Sequence, residues 1–175
     1  MVTPSTYPSI SLIACISRNG AIGYRNKLLY HIKDDMQRFV SLTTGHTIIM
    51  GRNTFLSLPH GALPNRRNMV VSTTLPPTKG IEIYSSLSAA LQQCQQHEEV
   101  FIIGGEALYQ EALPLANRLY LTLVEDTPQK ADAFFPLGEK DIFPIPIQNW
   151  SIICEATQKQ DSLTYHFIDL QHIVS

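Results

Sequence analysis

Residues 99–113 read EVFIIGGEALYQEAL. Four apolar residues in a row, Val100 to Ile103, carry no in-and-out alternation, so a strand here is covered on both faces. Two glycines break the run, and the apolar spacing then turns helical in EALYQEAL. A doubly covered strand feeding straight into a helix is the unit of a mostly parallel α/β sheet. Working outward, the same switching of period recurs. ISLIACIS (10–17), HTIIMG (46–51), NMVVST (68–73), IEIY (81–84) and RLYLTLVE (118–125) read as strands. IKDDMQRFVSLT (32–43), the short NTFLSL (53–58) and SSLSAALQQCQQ (85–96) read as helices, the last opened by a serine cap. WSIICEAT and LTYHFIDL, joined by the polar QKQDS, predict an antiparallel hairpin that closes the sheet. The Pro-rich FPLGEKDIFPIPIQNW (135–150) reads as a long loop, and residues 1–8 as a flexible extension. The expectation is one α/β domain over residues 1–175, with a mostly parallel mixed central sheet flanked by helices and a C-terminal antiparallel hairpin.

Composition narrows the function classes. The chain has 175 residues, 44% hydrophobic and 16% charged, an ordinary globular balance. A net charge of −2 without any Lys/Arg cluster argues against nucleic acid or an anionic membrane as partner. MVTPSTYPS (1–9) lacks the basic start and apolar core of a signal peptide. Cys15, Cys94 and Cys154 form no CxxC pair and read as reduced thiols of a cytoplasmic protein. The six histidines show no HxxxH or HxH spacing, so no metal site is expected.

One residue breaks the pattern of its element. On a wheel of IKDDMQRFVSLT, Ile32, Met36, Phe39, Val40, Leu42 and Thr43 share one arc of roughly 160°. Asp34 and Arg38 fall on the polar side, but Asp35 lies inside the apolar arc. Near a helix start a carboxylate gains from the dipole, yet that gain does not require facing inward. A buried carboxylate needs a partner that donates hydrogen bonds. A ligand with an amidine-like pair of N–H groups would serve.

Two strand-to-helix turns also look chemical, because open α/β sheets bind ligands beyond the carboxyl ends of their strands. IIMGRNTF puts Gly51, Arg52, Asn53 and Thr54 at a helix start, where free N–H groups and a guanidinium attract phosphate. FIIGGEALY puts Gly104 and Gly105 at another, where missing Cβ atoms let a pyrophosphate approach the backbone. Taken singly, a GG turn is ordinary turn geometry and Arg52 an ordinary surface charge. Neither stretch is the GxGxxG fingerprint. Tyr109, Tyr120 and Phe134 alternate with aliphatic residues and read as core, and Asp132 as a loop-ordering residue.

From Ser9 to Leu170 the chain resembles the dihydrofolate reductases. The resemblance rests on ordered motifs: ISLIACIS, AIGYRN, DDMQRF, HTIIMGRNTFLSLP, ALPNRRN, VFIIGGEALY, RLYLTLVE and ADAFFP. It implies reduction of 7,8-dihydrofolate by NADPH, with hydride passing to C6 of the pterin and a water-borne proton to N5. It makes Asp35, Tyr30 and Thr122 the catalytic candidates. Asp35 would anchor the 2-amino group and N3 of the pterin, with Thr122 bonded to it. Ile13, Leu28, Phe39, Leu58, Leu63 and Ile103 would line the apolar slot. Arg66 would hold the α-carboxylate of the substrate's glutamate tail, with Arg67 as the register alternative. Ala14, Cys15, Ile22 and Gly23 would orient the nicotinamide. Arg52, Ser72 and Thr73 would grip the 2′-phosphate, while Gly51, Asn53, Thr54, Gly104, Gly105, Glu106, Ala107 and Leu108 would surround the pyrophosphate. The Gly104–Gly105 peptide would be cis. Antifolates would compete for the slot, and the protein would be a cytoplasmic monomer that binds neither nucleic acid nor membrane.

GYRNKLLYHIK (23–33) corresponds to the family's mobile loop, and here the chain departs from its relatives. Leu29-Tyr30 stand where a Pro-Trp pair is usual, and Ile32-Lys33 where Leu-Pro is usual. Losing proline frees the backbone, which bears on loop closure. Two other readings remain at this stage: a pyrimidine reductase of riboflavin synthesis, disfavoured by Arg66, and a pterin- or nucleotide-binding protein without turnover.

Overall fold

The computed structural model describes residues 7–136 and 149–173. Strands β1 (Ser9–Ser17), β4 (Thr47–Gly51), β5 (Arg67–Val71), β6 (Ile81–Tyr84), β7 (Glu99–Gly104), β8 (Arg118–Val124), β10 (Trp150–Gln160) and β11 (Leu163–His172) make one sheet. Its order is β10-β11-β8-β1-β7-β4-β5-β6. Every pairing from β8 to β6 is parallel, and β11 and β10 add on antiparallel. Helices α1 (Lys33–Thr43), α2 (Arg52–Ser57), α3 (Leu87–Gln92) and α4 (Glu106–Ala112) connect the strands. The expected α/β domain with a closing hairpin is the architecture observed.

Strand periodicity decides what faces what. On β1, Ile10, Leu12, Ala14 and Ile16 point into one core layer, shared with Ala90 and Leu91 of α3 and Leu108 and Ala112 of α4. Ile13 points to the other layer, with Ile48, Met50, Phe101 and Tyr120, against which Phe39, Leu42, Leu58, Leu63 and Ile103 pack. The period of two therefore sets Ile13, Cys15, Ile103 and Thr122 on one face, the face α1 covers. Both faces are apolar, as a parallel sheet requires. Each Ile or Leu fully buried here contributes about 1.5–3 kcal/mol from area alone.

Several expectations are corrected. Met36 and Val40 share the apolar arc of α1 but are 47% and 46% exposed, because the sheet covers only the Ile32–Phe39–Thr43 side. Phe134, expected in the core, is 37% exposed, whereas Tyr109 and Tyr120 are buried. GYRNKLLYHIK is not all loop: β2 (Ala21–Tyr24) and β3 (Lys27–Leu28) pair antiparallel, and β2 also pairs with β9 (Ala133–Phe134) in a small second sheet. β10 runs through Gln160, so the turn of the C-terminal hairpin is shorter than QKQDS, with Asp161 at φ 55°. Ser86 caps α3 as expected, accepting from Ala89 N–H at 3.0 Å. Residues 1–6 of the expected extension and 137–148 of the expected Pro-rich loop lie outside the described residues, while Tyr7 packs on the core and Pro8 is buried. Among the described residues no helix is long and apolar enough to cross a membrane.

Candidate active site

The carboxyl ends of β1, β4, β5 and β7 open onto a cleft of about 840 Å³. The switch from β4 into α2 and from β7 into α4 brings Gly51–Thr54 and Gly104–Leu108 to its wall. Gly51 and Gly105 are the N-caps of these helices, and no side chain caps either one. Their first N–H groups are thus left for a ligand or solvent to satisfy. Gly104 has φ +130°, and a Cβ there would sit 3.2 Å from Thr54 Oγ1. Only glycine lets these two turns approach so closely. The Gly104–Gly105 peptide is cis.

Thirteen of the fifteen expected cofactor residues line this cleft: Ala14, Cys15, Ile22, Gly23, Gly51, Arg52, Asn53, Thr54, Gly104, Gly105, Glu106, Ala107 and Leu108. Ser72 and Thr73 do not. The Ser72 hydroxyl accepts from the N–H groups of Thr74 and Leu75 and closes its own turn. Arg52 is exposed at the wall, with one weak 3.4 Å bond to Asn53. Leu28, 60% exposed, stands at the rim.

Asp35 lies across Cys15 from the cleft, in the first turn of α1. Thr122 donates from β8 to Asp35 Oδ1 at 2.5 Å, and Cys15, the register partner of Thr122 on β1, brings its thiol near the same carboxylate. Burial pushes the Asp35 carboxyl above its ordinary range, while the Thr122 bond, the Arg38 charge and the nearby Cys15 thiol pull it partway back. Arg38 does not lie idle on the polar side. It pairs with Asp169 on β11 and lies 4.7 Å from the Phe167 ring centre. Among the described residues, no cation comes within ion-pair distance of Asp35.

The two arginines of the register alternative differ in their partners. Arg67 closes its fork on Glu82, with bonds of 2.6 and 2.8 Å, and gives a third bond to Gln93 O. Arg66 bonds Pro64 O at 2.9 Å and Thr43 Oγ1 at 3.1 Å, which sets its guanidinium 5.9 Å from the Phe39 ring centre. Buried Asn68 fixes that approach by bonding Leu63 N–H, Leu63 O and Arg66 O, each at 2.9 Å.

Four contacts were missed in the sequence. Tyr30 lies outside the cleft lining, and its hydroxyl donates to Asp126 at 2.7 Å. Glu106 receives the Phe134 N–H at 3.1 Å, tying β9 to the start of α4. Asn68 and the approach of Cys15 to Asp35 complete the set. No local pattern announces the Tyr30–Asp126 and Glu106–Phe134 pairs, 96 and 28 positions apart, whereas the Asn68 bonds are local and fall inside a turn.

These features place the chain among open-sheet α/β enzymes that bind ligands beyond the carboxyl ends of their strands. The family model for dihydrofolate reductase matches residues 9–172. The chain is 41% identical over 136 residues to the dihydrofolate reductase of Buchnera aphidicola, covering 78% of this chain and 83% of that one. It is 37% identical over 154 residues to that of Bacillus subtilis (87% and 86%), and 44% over 128 residues to a type 3 enzyme from Salmonella typhimurium (73% and 78%). In fold it matches the Enterococcus faecalis dihydrofolate reductase solved with NADP(H) and RAB-propyl, at a TM-score of 0.81, 24% identity, and coverage of 95% and 98%. The chain belongs to the dihydrofolate reductase family, whose members are NADPH-dependent oxidoreductases.

Proposed function

We propose that the protein reduces 7,8-dihydrofolate to 5,6,7,8-tetrahydrofolate as a cytoplasmic monomer, supplying one-carbon metabolism and thymidylate synthesis. One observation carries this reading: a half-buried carboxylate, Asp35, held by Thr122 and, among the described residues, beyond ion-pair distance of any cation, at the sheet face that carries Ile13 and Ile103. The 2-amino group and N3 of a pterin are the paired donors such a carboxylate lacks. Thr122 fixes its orientation beforehand, so little ordering remains on binding. Ile13, Phe39, Leu58, Leu63 and Ile103 exclude water around the ring, and Arg66 meets the tail carboxylate at the far end.

The cleft suits NADPH by its own construction: two capless helix starts and a glycine contact that a Cβ would crowd. Thr54 and residues 104–108 would hold the pyrophosphate, Arg52 the 2′-phosphate, and Ala14, Cys15, Ile22 and Gly23 the nicotinamide. Bound there, NADPH supplies the hydride. The protein orients the pterin, keeps the slot dry and polarises the ring through Asp35, while a water carries the proton to N5. Tyr30 steadies the loop over the site, since its hydroxyl proton is committed to Asp126.

The test is steady-state NADPH oxidation with dihydrofolate, in the native protein and in Asp35→Asn. Native activity that falls about a hundredfold or more in the variant, with NADPH binding retained, supports the reading. Activity indifferent to the substitution, or a native protein that binds folate without turning it over, overturns it.

A further inference from the structure

α1 begins without a cap of its own. Its N-cap is Ile32, at φ −102° and ψ 120°, whose side chain accepts nothing. The first helical N–H belongs to Lys33, and it is met from far away along the chain. Gln160, the last residue of β10, accepts it on Oε1 at 2.9 Å and returns a longer bond, Nε2 to His31 O at 3.3 Å. The same hairpin holds the helix twice more: Tyr165 donates to Asp34 at 2.8 Å, and Asp169 pairs with Arg38. Asp35 lies between these grips, two residues after Lys33.

A proline at position 33 would have no N–H and would ask for no acceptor. Lysine there creates a donor at the helix start. We infer that Gln160 is a positioning residue for Asp35: it ties down the Lys33 N–H and so fixes the first turn of the helix that carries Asp35. The inference rests on the proposed role of Asp35, and its test separates the two. The Ile32 dihedrals already suit a residue preceding proline, so Lys33→Pro fits this backbone.

The experiment is a double-mutant cycle of Gln160→Ala and Lys33→Pro, read by folate affinity and by kcat/KM for dihydrofolate, with NADPH affinity alongside. In the native background, Gln160→Ala weakens folate binding and kcat/KM roughly three- to tenfold and leaves NADPH affinity unchanged. Gln160→Glu, which keeps the acceptor, restores most of that loss. In the Lys33→Pro background, itself close to native, Gln160→Ala costs less than about twofold, because no N–H remains to be held. An equal loss in both backgrounds, a loss shared by NADPH affinity, or no loss in the native background overturns the inference. Folate affinity reads Gln160 without turnover, so failure of the proposed reaction shows separately, as an inactive native protein.

Discussion

Asp35 works against the folded state before any ligand arrives. Burial raises its pKa above that of the unfolded chain, so the folded protein prefers the protonated carboxyl. The stability this group allows is complete below the unfolded carboxylate range and declines as pH rises through the raised folded value. Asparagine keeps the shape, can still accept from Thr122 and carries no charge. Asp35→Asn should therefore raise the thermal midpoint of the ligand-free protein at neutral pH, and the gain should shrink toward zero as pH falls below about 4. A gain that persists or grows on acidification would show that the carboxylate is not penalised. The inward turn of this residue was legible because helical periodicity is local. The fate of Arg38 was not: its charge pairs with Asp169, 131 positions on, and no wheel carries that information.

At the scale of elements, legibility followed length and burial. β1, β7 and β8 are long and doubly covered, so their apolar runs announced them. β3 and β9 have two residues each, and exist because β2 pairs with both. Such strands have no propensity of their own to read. β10 is exposed along nearly its whole length, so nothing in its sequence marks an inner face. The small sheet over the cleft is where this blindness touches function. Asp132 clasps it, its carboxylate taking Arg25 N–H at 3.0 Å and its own N–H giving to Gly23 O at 3.0 Å. Cutting the carboxylate frees the β2–β3 turn from β9 while the main sheet is untouched. Asp132→Ala should lower kcat about three- to tenfold and shift the thermal midpoint by no more than about 2 °C. An unchanged kcat would mean that this clasp plays no part in closing the site.

Across the whole molecule, the cleft and the core are coupled by mass action. Its walls come from β1, β4, β5, β7, α2 and α4, elements distant in sequence, so a ligand seated there holds most of the sheet together. Anything that binds the folded chain alone stabilises it by about 2.7 kcal/mol at a hundred times its Kd. For a chain of this size that is a rise of about 5–10 °C in thermal midpoint. NADPH should give that rise, and NADH at the same concentration a smaller one, because Arg52 is an exposed cation at the wall, suited to a 2′-phosphate. Arg52→Ala should bring the NADPH rise down to the NADH rise and leave the NADH rise alone. Equal rises for the two nucleotides in the native protein would take the 2′-phosphate away from Arg52. With Ser72 closing its own turn and Thr73 outside the cleft lining, that result would leave no side chain of the expected trio to discriminate between the nucleotides.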